Sequence, residues 1–328
     1  MRRRDFIAGL GLSAVWPKLA QAQQAGHIPL VAILWHAGSR QEEGILYDAM
    51  HAGFTTLGYV AGKDIIFEER FPGETPGLFE RYANELVALK PDVLVAVATP
   101  SILAAQKATT TIPIVFLPPL DPVRLKLVKS LAHPEGNLTG LATIAEGVAG
   151  KRVQLLKSTF PNLSSLALMF DPVAAYNVVP EVSETRIAAD KLGISFDAFE
   201  TKQPEEIDHA FSTIVQRRFG AVIVAQGPTY FIQRQRMARF ALENKLILMG
   251  ASDVFADSGY LMSYGPSWPP IFRNVAIYVD KILKGAKPSD LPIQQPTIFE
   301  FIINMQTAKS IGLDIPASAL QLADRVIE

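Results

Sequence analysis

Short apolar runs alternate with amphipathic stretches along the chain after residue 27. The run at 93–97, Val-Leu-Val-Ala-Val, has no polar alternation, which is typical of a parallel strand buried on both faces. A polar turn follows, in which Thr99 is predicted to cap a helix that begins at Pro100. The pattern therefore predicts a strand, a tight turn and a helix whose free N–H groups face the end of the strand.

The same pattern recurs at 219–233, where an apolar run ends in a small proline-containing turn and a helix follows. Strands and helices also alternate elsewhere, with helices predicted at 41–57 and 123–131. This alternation indicates an α/β fold of two similar lobes, each with a doubly wound parallel sheet. Ligands of open α/β sheets bind beyond the carboxyl ends of the strands, so both lobes are expected to face one cleft.

The composition is that of a globular protein and excludes several kinds of site. The 328 residues are 49% hydrophobic, the net charge is −1 and there is no cysteine. The chain lacks the excess of basic residues that would indicate nucleic-acid binding. Because it has no cysteine, disulfides, thiolate chemistry and cysteine-based metal sites are excluded. None of the five histidines has a partner at metal-ligand spacing, and no P-loop, G-x-S-x-G or strand-borne G-x-G-x-x-G motif occurs. We therefore expect no metal, no cofactor and no enzymatic activity.

The first 22 residues have the features of an export signal. Arg3 and Arg4 form a twin-arginine-like pair, an apolar stretch covers 6–16, and Ala-Gln-Ala at 20–22 fits the small-x-small cleavage rule. The apolar stretch is too short to span a bilayer. We expect cleavage after Ala22 and a soluble periplasmic protein, with the Sec and twin-arginine routes both open.

Small polar and aromatic residues are concentrated in the loops that follow the predicted strands. Helix N-termini in such loops suit a carboxylate, aspartates suit an ammonium group, and aromatic side chains can stack on an aromatic ring. Three of these residues also have a purely structural interpretation. It is core packing for Trp35 and helix capping for Ser101 and Thr229. The candidate ligand-binding residues are Trp35, His36, Ser39, Thr99, Ser101, Pro118, Asp121, Asp171, Tyr176, Asn177, Gln226, Thr229, Ser252 and Asp253.

Several segments, in one order along the chain, resemble a known family. They include 57–63 (LGYVAGK), 108–116 (ATTTIPIVF), 134–140 (PEGNLTG), 259–265 (GYLMSYG) and 282–288 (ILKGAKP). The chain resembles the ABC transporter substrate-binding proteins of the tryptophan/tyrosine type. The resemblance implies a type I periplasmic-binding-protein fold, with two lobes joined by three crossing segments. Such a protein closes on a small molecule by hinge motion and delivers it to an ABC permease in the inner membrane.

On this resemblance, we place lobe 1 at 28–142 plus 252–293 and lobe 2 at 143–251 plus 294–328. The ligand is expected to be an aromatic amino acid or a related aromatic carboxylate, and the protein is expected to be a monomer. The alternative is an exported α/β enzyme acting on a small polar substrate, although the acid–base constellation that it needs is not found.

Overall fold

The part of the chain that the computed structural model describes is 27–328 except 76, 119–120, 144–146, 172–174 and 202, and the side chains of 175–179 are not described either. The predicted export signal at 1–22 lies outside the described residues. Two sheets with helices on both faces make up this part of the chain.

The first sheet, in lobe 1, has five parallel strands. Its strands are β1 (Leu30–Leu34), β2 (Ile66–Arg70), β3 (Val93–Val97), β4 (Ile114–Leu117) and β5 (Leu138–Gly140), and the helices beside it are α1 (Arg40–Glu43), α2 (Ile45–Thr56), α3 (Leu78–Ala88), α4 (Ala98–Ala108) and, much later in the chain, α10 (Trp268–Leu283). The strand order is β2-β1-β3-β4-β5, and α10 packs along α2.

The second sheet, in lobe 2, has seven strands. Its strands are β6 (Ser165–Phe170), β7 (Ser195–Glu200), β8 (Ala221–Val224), β9 (Ile247–Gly250), β10 (Met262–Pro266), β11 (Phe299–Asn304) and β12 (Arg325–Ile327), and its helices are α5 (Val148–Thr159), α6 (Ala175–Lys191), α7 (Pro204–Gln216), α8 (Pro228–Glu243), α9 (Asp253–Asp257), α11 (Met305–Ile311) and α12 (Ala317–Leu322). The order is β12-β11-β10-β9-β8-β6-β7, and β10 and β11 are antiparallel while the other pairs are parallel.

Strand β3 shows why its sequence has no polar alternation. Val93, Val95 and Val97 belong to one apolar cluster, together with residues of α2 and α10. Leu94 and Ala96 point to the opposite face and belong to a second cluster, with residues of α3 and α4. Because helices cover both faces, every side chain of this strand is buried.

The two lobes repeat one topology. The order β2-β1-β3-β4-β5 of the first sheet corresponds to β7-β6-β8-β9-β10 of the second. The two similar sequence patterns, at 93–106 and 219–233, form the third strand of each sheet and the helix after it. The predicted α/β fold with two doubly wound lobes is confirmed.

The chain crosses between the lobes after β5, between β10 and α10, and before β11. Two backbone hydrogen bonds join these crossings to one another. The Ser267 N–H donates to the carbonyl oxygen of Ile298 (3.1 Å), and the Ala142 N–H donates to that of Gln294 (2.9 Å). The three passages therefore lie side by side, and their number is the one that the resemblance implies.

Three predictions of local structure are wrong. The helix predicted at 41–57 is broken at Gly44, whose φ of +58° only glycine adopts readily, so it becomes α1 and α2. The segment 123–131 forms turns instead of a helix, because the Asp121 carboxylate accepts the N–H groups of Val123 and Arg124 (both 3.0 Å) in a tight turn. Thr99 is not the N-cap, because α4 already begins at Ala98.

The predicted lobe boundary at 252 differs from the strand pairing. The resemblance places residues 252–293 in lobe 1 as one piece. In the structure β10 pairs with β9 and β11, so this strand and α9 before it lie in lobe 2. The crossing into lobe 1 occurs at Ser267, immediately before α10. The apolar pattern of a strand as short as β10 is compatible with either sheet, so it does not predict which sheet the strand joins.

Gly53 is required for the close contact between α2 and α10. A Cβ atom at this position would lie 2.3 Å from the carbonyl oxygen of Arg273, and a backbone atom cannot move aside independently.

We predict that Gly53→Ala lowers the free energy of unfolding by about 1–3 kcal/mol. The matched control is Gly150→Ala in α5, whose Cβ would meet only the Ala188 side chain at 3.8 Å. Because alanine has a higher helix propensity than glycine, that variant should be as stable as the wild type or more stable. Urea unfolding of both variants tests the prediction, and equal stabilities would contradict it.

Candidate functional site

Each sheet has a switch point at which the strand order reverses. In lobe 1 it lies between β1 and β3, and in lobe 2 between β6 and β8. The connections leave these paired strands in opposite directions, which opens a crevice at their carboxyl ends where ligands of open α/β sheets bind. The loops after these four strands therefore border the candidate site.

The two crevices are built by equivalent contacts. In lobe 1 the hydroxyl group of Ser101, in the first turn of α4, donates to the backbone carbonyl oxygen of Trp35 (2.8 Å). In lobe 2 the hydroxyl group of Thr229, in the first turn of α8, donates to the Asp171 carboxylate (3.2 Å). The structure thus brings four of the predicted site residues together as two pairs, one at each switch point.

The β3–α4 junction contains a strained residue. Ala98 has a φ of +67°, which costs a residue other than glycine about 1–2 kcal/mol. This conformation turns the chain from strand into helix without an intervening loop, and it places Thr99 and Pro100 in the first helical turn. The free N–H groups of α4 therefore lie at the lobe 1 crevice.

A row of stacked aromatic side chains runs from lobe 1 to lobe 2. Its members are, in order, Phe71, Trp35, Phe272, Trp268 and Phe231, with centroid separations of 6.0, 6.5, 5.9 and 6.4 Å. Neighbouring rings are inclined by 24° or less, as in offset stacking. The first two members lie in lobe 1 and Phe231 belongs to α8 of lobe 2, so the row crosses the cleft.

Trp35 and Trp268 differ in their polar contacts. Trp35 is fully buried, and its indole N–H donates to the Glu69 carboxylate (3.0 Å). Burial alone would raise the pKa of Glu69, but the hydrogen bonds from His51 and Trp35 and the charges of His51 and Arg40 together more than offset it, so the pKa is lowered. Trp268 is 7% exposed, and its indole N–H has no hydrogen-bond partner among the described residues.

His36 lies between two acidic side chains at the end of β1. Its Nδ1 is 3.0 Å from Glu74, and its Nε2 is 3.6 Å from Glu43, which is completely buried. Burial lowers the pKa of His36, but the two carboxylates outweigh this effect and the net pKa is raised. Burial raises the pKa of Glu43, against the opposing influence of His36. Lobe 1 thus presents a charged cluster beside the aromatic row.

Arg234 of α8 reaches from lobe 2 to lobe 1. Its guanidinium nitrogens lie 3.4 and 3.5 Å from the carbonyl oxygen of Glu42, at the end of α1. The guanidinium also lies 4.0 Å from the ring centroid of Phe231, and that ring approaches His36 edge-on at 5.5 Å. A Cβ atom at Gly44 would lie 3.7 Å from this guanidinium, so the break between α1 and α2 leaves room for it. These contacts join the two sides of the cleft.

Asp253 fixes the crossing into α10. It is 4% exposed. Its carboxylate accepts hydrogen bonds from the Ser267 hydroxyl group (3.0 Å) and from the backbone N–H groups of Trp268 (3.2 Å) and Val254 (2.9 Å). Burial raises the pKa of Asp253 to about 6, despite these hydrogen bonds. The adjacent Ser252 hydroxyl group is buried without a hydrogen-bond partner in the described part of the chain.

The other predicted site residues have simpler surroundings. The Ser39 hydroxyl group accepts the Glu42 N–H (3.3 Å) and caps α1, and Asp121 caps its own turn. Thr99, Pro118 and Gln226 are half-buried beside the ends of β3, β4 and β8. The side chains of Tyr176 and Asn177 lie outside the described residues.

The sequence did not single out Glu43, Glu74, Phe231, Arg234 or Trp268. All of them except Glu74 lie in helices, where charged and aromatic residues carry no distinctive pattern, and only Gly44, next to Glu43, signals an irregularity. The described residues contain no group of three or more histidine, aspartate or glutamate side chains placed to hold a metal ion. Within the same residues, the helices are all too short or too polar to cross a membrane.

The family model for ABC transporter substrate binding protein matches residues 32–327. The chain belongs to this family. The resemblance found in the sequence is thereby confirmed, and membership implies a small-molecule ligand and a membrane permease as partners. The chain is also 26% identical over 259 residues to the tyrosine-binding protein of Clostridioides difficile, a match that covers 78% of this chain and 73% of that protein.

Solved structures show the same fold. A conserved domain protein from Vibrio cholerae is 28% identical, with a TM-score of 0.83 over 92% of this chain and 100% of that one. An ABC domain from Streptococcus pneumoniae, in complex with L-Trp, is 23% identical, with the same TM-score and coverage. The expected type I periplasmic-binding-protein fold is confirmed.

Asp253 should make stability depend on pH. Its pKa rises from 3.8 to about 6 on folding, so the folded protein holds this proton more tightly than the unfolded chain does. The free energy of unfolding should therefore fall by about 2–3 kcal/mol as the pH rises from 4 to 7 through this group alone. We predict that Asp253→Asn removes this component, which urea unfolding of both proteins at pH 4, 5.5 and 7 measures. Parallel pH profiles for the two proteins would contradict the prediction.

Proposed function

We propose that this protein is the solute-binding component of an ABC importer and that it closes its lobes around an aromatic amino acid. The observation that carries the proposal is the stacked aromatic row, which crosses the cleft at the two switch points. Aromatic side chains favour an aromatic ligand ring because stacking adds to the burial of apolar surface.

Charged groups of both signs lie beside this row. Arg234 contributes a cation from lobe 2, and Glu43 contributes a buried carboxylate from lobe 1. An amino acid carries both an ammonium and a carboxylate group, so it can be complementary to such a site where a purely apolar molecule cannot. Family membership and the ligands named for two similar proteins, tyrosine and L-Trp, support the same ligand class for this chain.

Two predicted groups are assigned to the ends of the ligand. The N–H groups at the start of α4, around Thr99, suit the carboxylate, because the helix dipole favours negative charge there. Asp171, held by Thr229 at the lobe 2 switch point, suits the ammonium group. The sequence predicted the same role for Asp253, but its hydrogen bonds to the start of α10 favour a role at the crossing. The remaining candidate contacts stay predictions.

The proposed function includes binding without chemical turnover. It also places the protein in the periplasm as a monomer, after export and cleavage following Ala22, where it delivers the ligand to an inner-membrane permease. The two arginines and the Ala-Gln-Ala sequence near the N-terminus support the export step.

We predict that Asp171→Asn weakens the binding of L-tyrosine and L-tryptophan by about tenfold or more, because a charge-assisted hydrogen bond to the ammonium group is lost. The same variant should bind the analogues that lack the amino group, 3-(4-hydroxyphenyl)propionate and 3-(indol-3-yl)propionate, as the wild type does. Isothermal titration calorimetry measures both effects.

The matched control is Asp208→Asn. Asp208 pairs with Arg236 on the surface of lobe 2, so its loss should change neither ligand class. If Asp171→Asn weakened the binding of the amino acids and of the deaminated analogues equally, the proposed contact of Asp171 with the ammonium group would be contradicted. The absence of binding of any aromatic amino acid to the wild-type protein would contradict the proposed function.

A further inference from the structure

The aromatic row contains one polar atom that its surroundings leave unsatisfied. Trp35 and Trp268 both stack against Phe272, but only Trp35 donates its indole N–H to a carboxylate. The Trp268 N–H is buried, and no acceptor among the described residues lies within reach. Leaving a buried N–H unpaired is unfavourable, and native proteins rarely do so. This donor is therefore available to an acceptor that another molecule brings.

The position of Trp268 fits contact with a ligand. Its backbone N–H is held by Asp253, and one face of its indole ring lies on Phe272 of lobe 1. Its other neighbour, Phe231, belongs to lobe 2 and stacks at 6.4 Å. Opening of the lobes would move Phe231 away with α8. That movement would open the side of Trp268 that faces the cleft, while its backbone stays held by Asp253 at the crossing.

We propose that Trp268 determines ligand specificity by donating its indole N–H to an oxygen atom on the ring of the ligand. The inference rests on the proposed function and makes it narrower, because an aromatic amino acid with a ring hydroxyl group should bind more tightly than phenylalanine or tryptophan, whose rings carry no acceptor. A phenol oxygen accepts such a bond, whereas phenylalanine has no acceptor on its ring. A site that hydrogen-bonds a hydroxyl group binds the analogue without it more weakly, since the buried donor then stays unpaired.

The first test compares L-tyrosine with L-phenylalanine. Calorimetry on the wild-type protein should show L-tyrosine binding about tenfold more tightly. Trp268→Phe keeps an aromatic ring and removes the donor, so this preference should fall to about onefold, mainly through weaker tyrosine binding. The matched control is Trp35→Phe, which removes the other indole of the row. It should change the two affinities together and keep their ratio.

A second test needs no substitution at Trp268. The chain after position 22 contains two tryptophans, so the exported form labelled with 15N-tryptophan should show two indole N–H signals. The spectrum of Trp35→Phe assigns them. L-tyrosine should move the Trp268 proton signal downfield, as a new hydrogen bond does, and L-phenylalanine should not. This readout remains available if Trp268→Phe fails to fold.

The outcomes separate the two proposals. If both amino acids bind the wild type, an unchanged tyrosine preference in Trp268→Phe, or equal shifts of the Trp268 signal with both ligands, overturns the specificity role and leaves the proposed function intact. If neither amino acid binds the wild type, the proposed function fails and this inference fails with it. Loss of the preference in Trp268→Phe alone, together with the tyrosine-specific shift, supports the inference.

Discussion

The passage from β10 to α10 through Ser267 sets the relation between the two lobes. β10 is hydrogen-bonded into the second sheet, and α10 packs along α2 in lobe 1, so a single residue separates the lobes along the chain here. The Asp253 carboxylate holds this residue and the start of the helix, while the Ser267 N–H binds the neighbouring crossing. Lobe movement must therefore be absorbed by the dihedral angles of a few residues.

In the proposed function, closure and ligand recognition draw on the same side chains. Phe231 and Arg234 of α8 contact lobe 1 at His36 and at the carbonyl oxygen of Glu42, beside the aromatic row. A ligand that stacks in this row gains contacts in the closed state that the open state cannot offer. It therefore shifts the population toward closure by its difference in affinity for the two states. The cation–carbonyl contact alone is polar and partly exposed, so it is too weak to hold the lobes together without a ligand.

Much of the fold could be predicted from the sequence, because burial on both faces leaves an unbroken apolar strand such as β3. The switch-point loops were also found, since they follow the strands directly. The allocation of β10 could not be predicted, because it depends on pairing with β9 and β11. The roles of Arg234 and Trp268 could not be predicted either, because they depend on contacts with residues of the other lobe that are distant in sequence. Ala98 illustrates the same limit, since tertiary packing imposes its positive φ against its own preference.

The central claim is that the lobes close on an aromatic amino acid, and a distance measured across the cleft tests it most directly. The chain has no cysteine, so cysteines introduced at the exposed positions Ile45 of α2 and Gln235 of α8 can carry the only spin labels. Double electron–electron resonance should show a broad distance distribution that includes open states without ligand. Saturating L-tyrosine should convert it to one short distance, whereas glycine should not. An unchanged or longer distance with L-tyrosine would contradict the account.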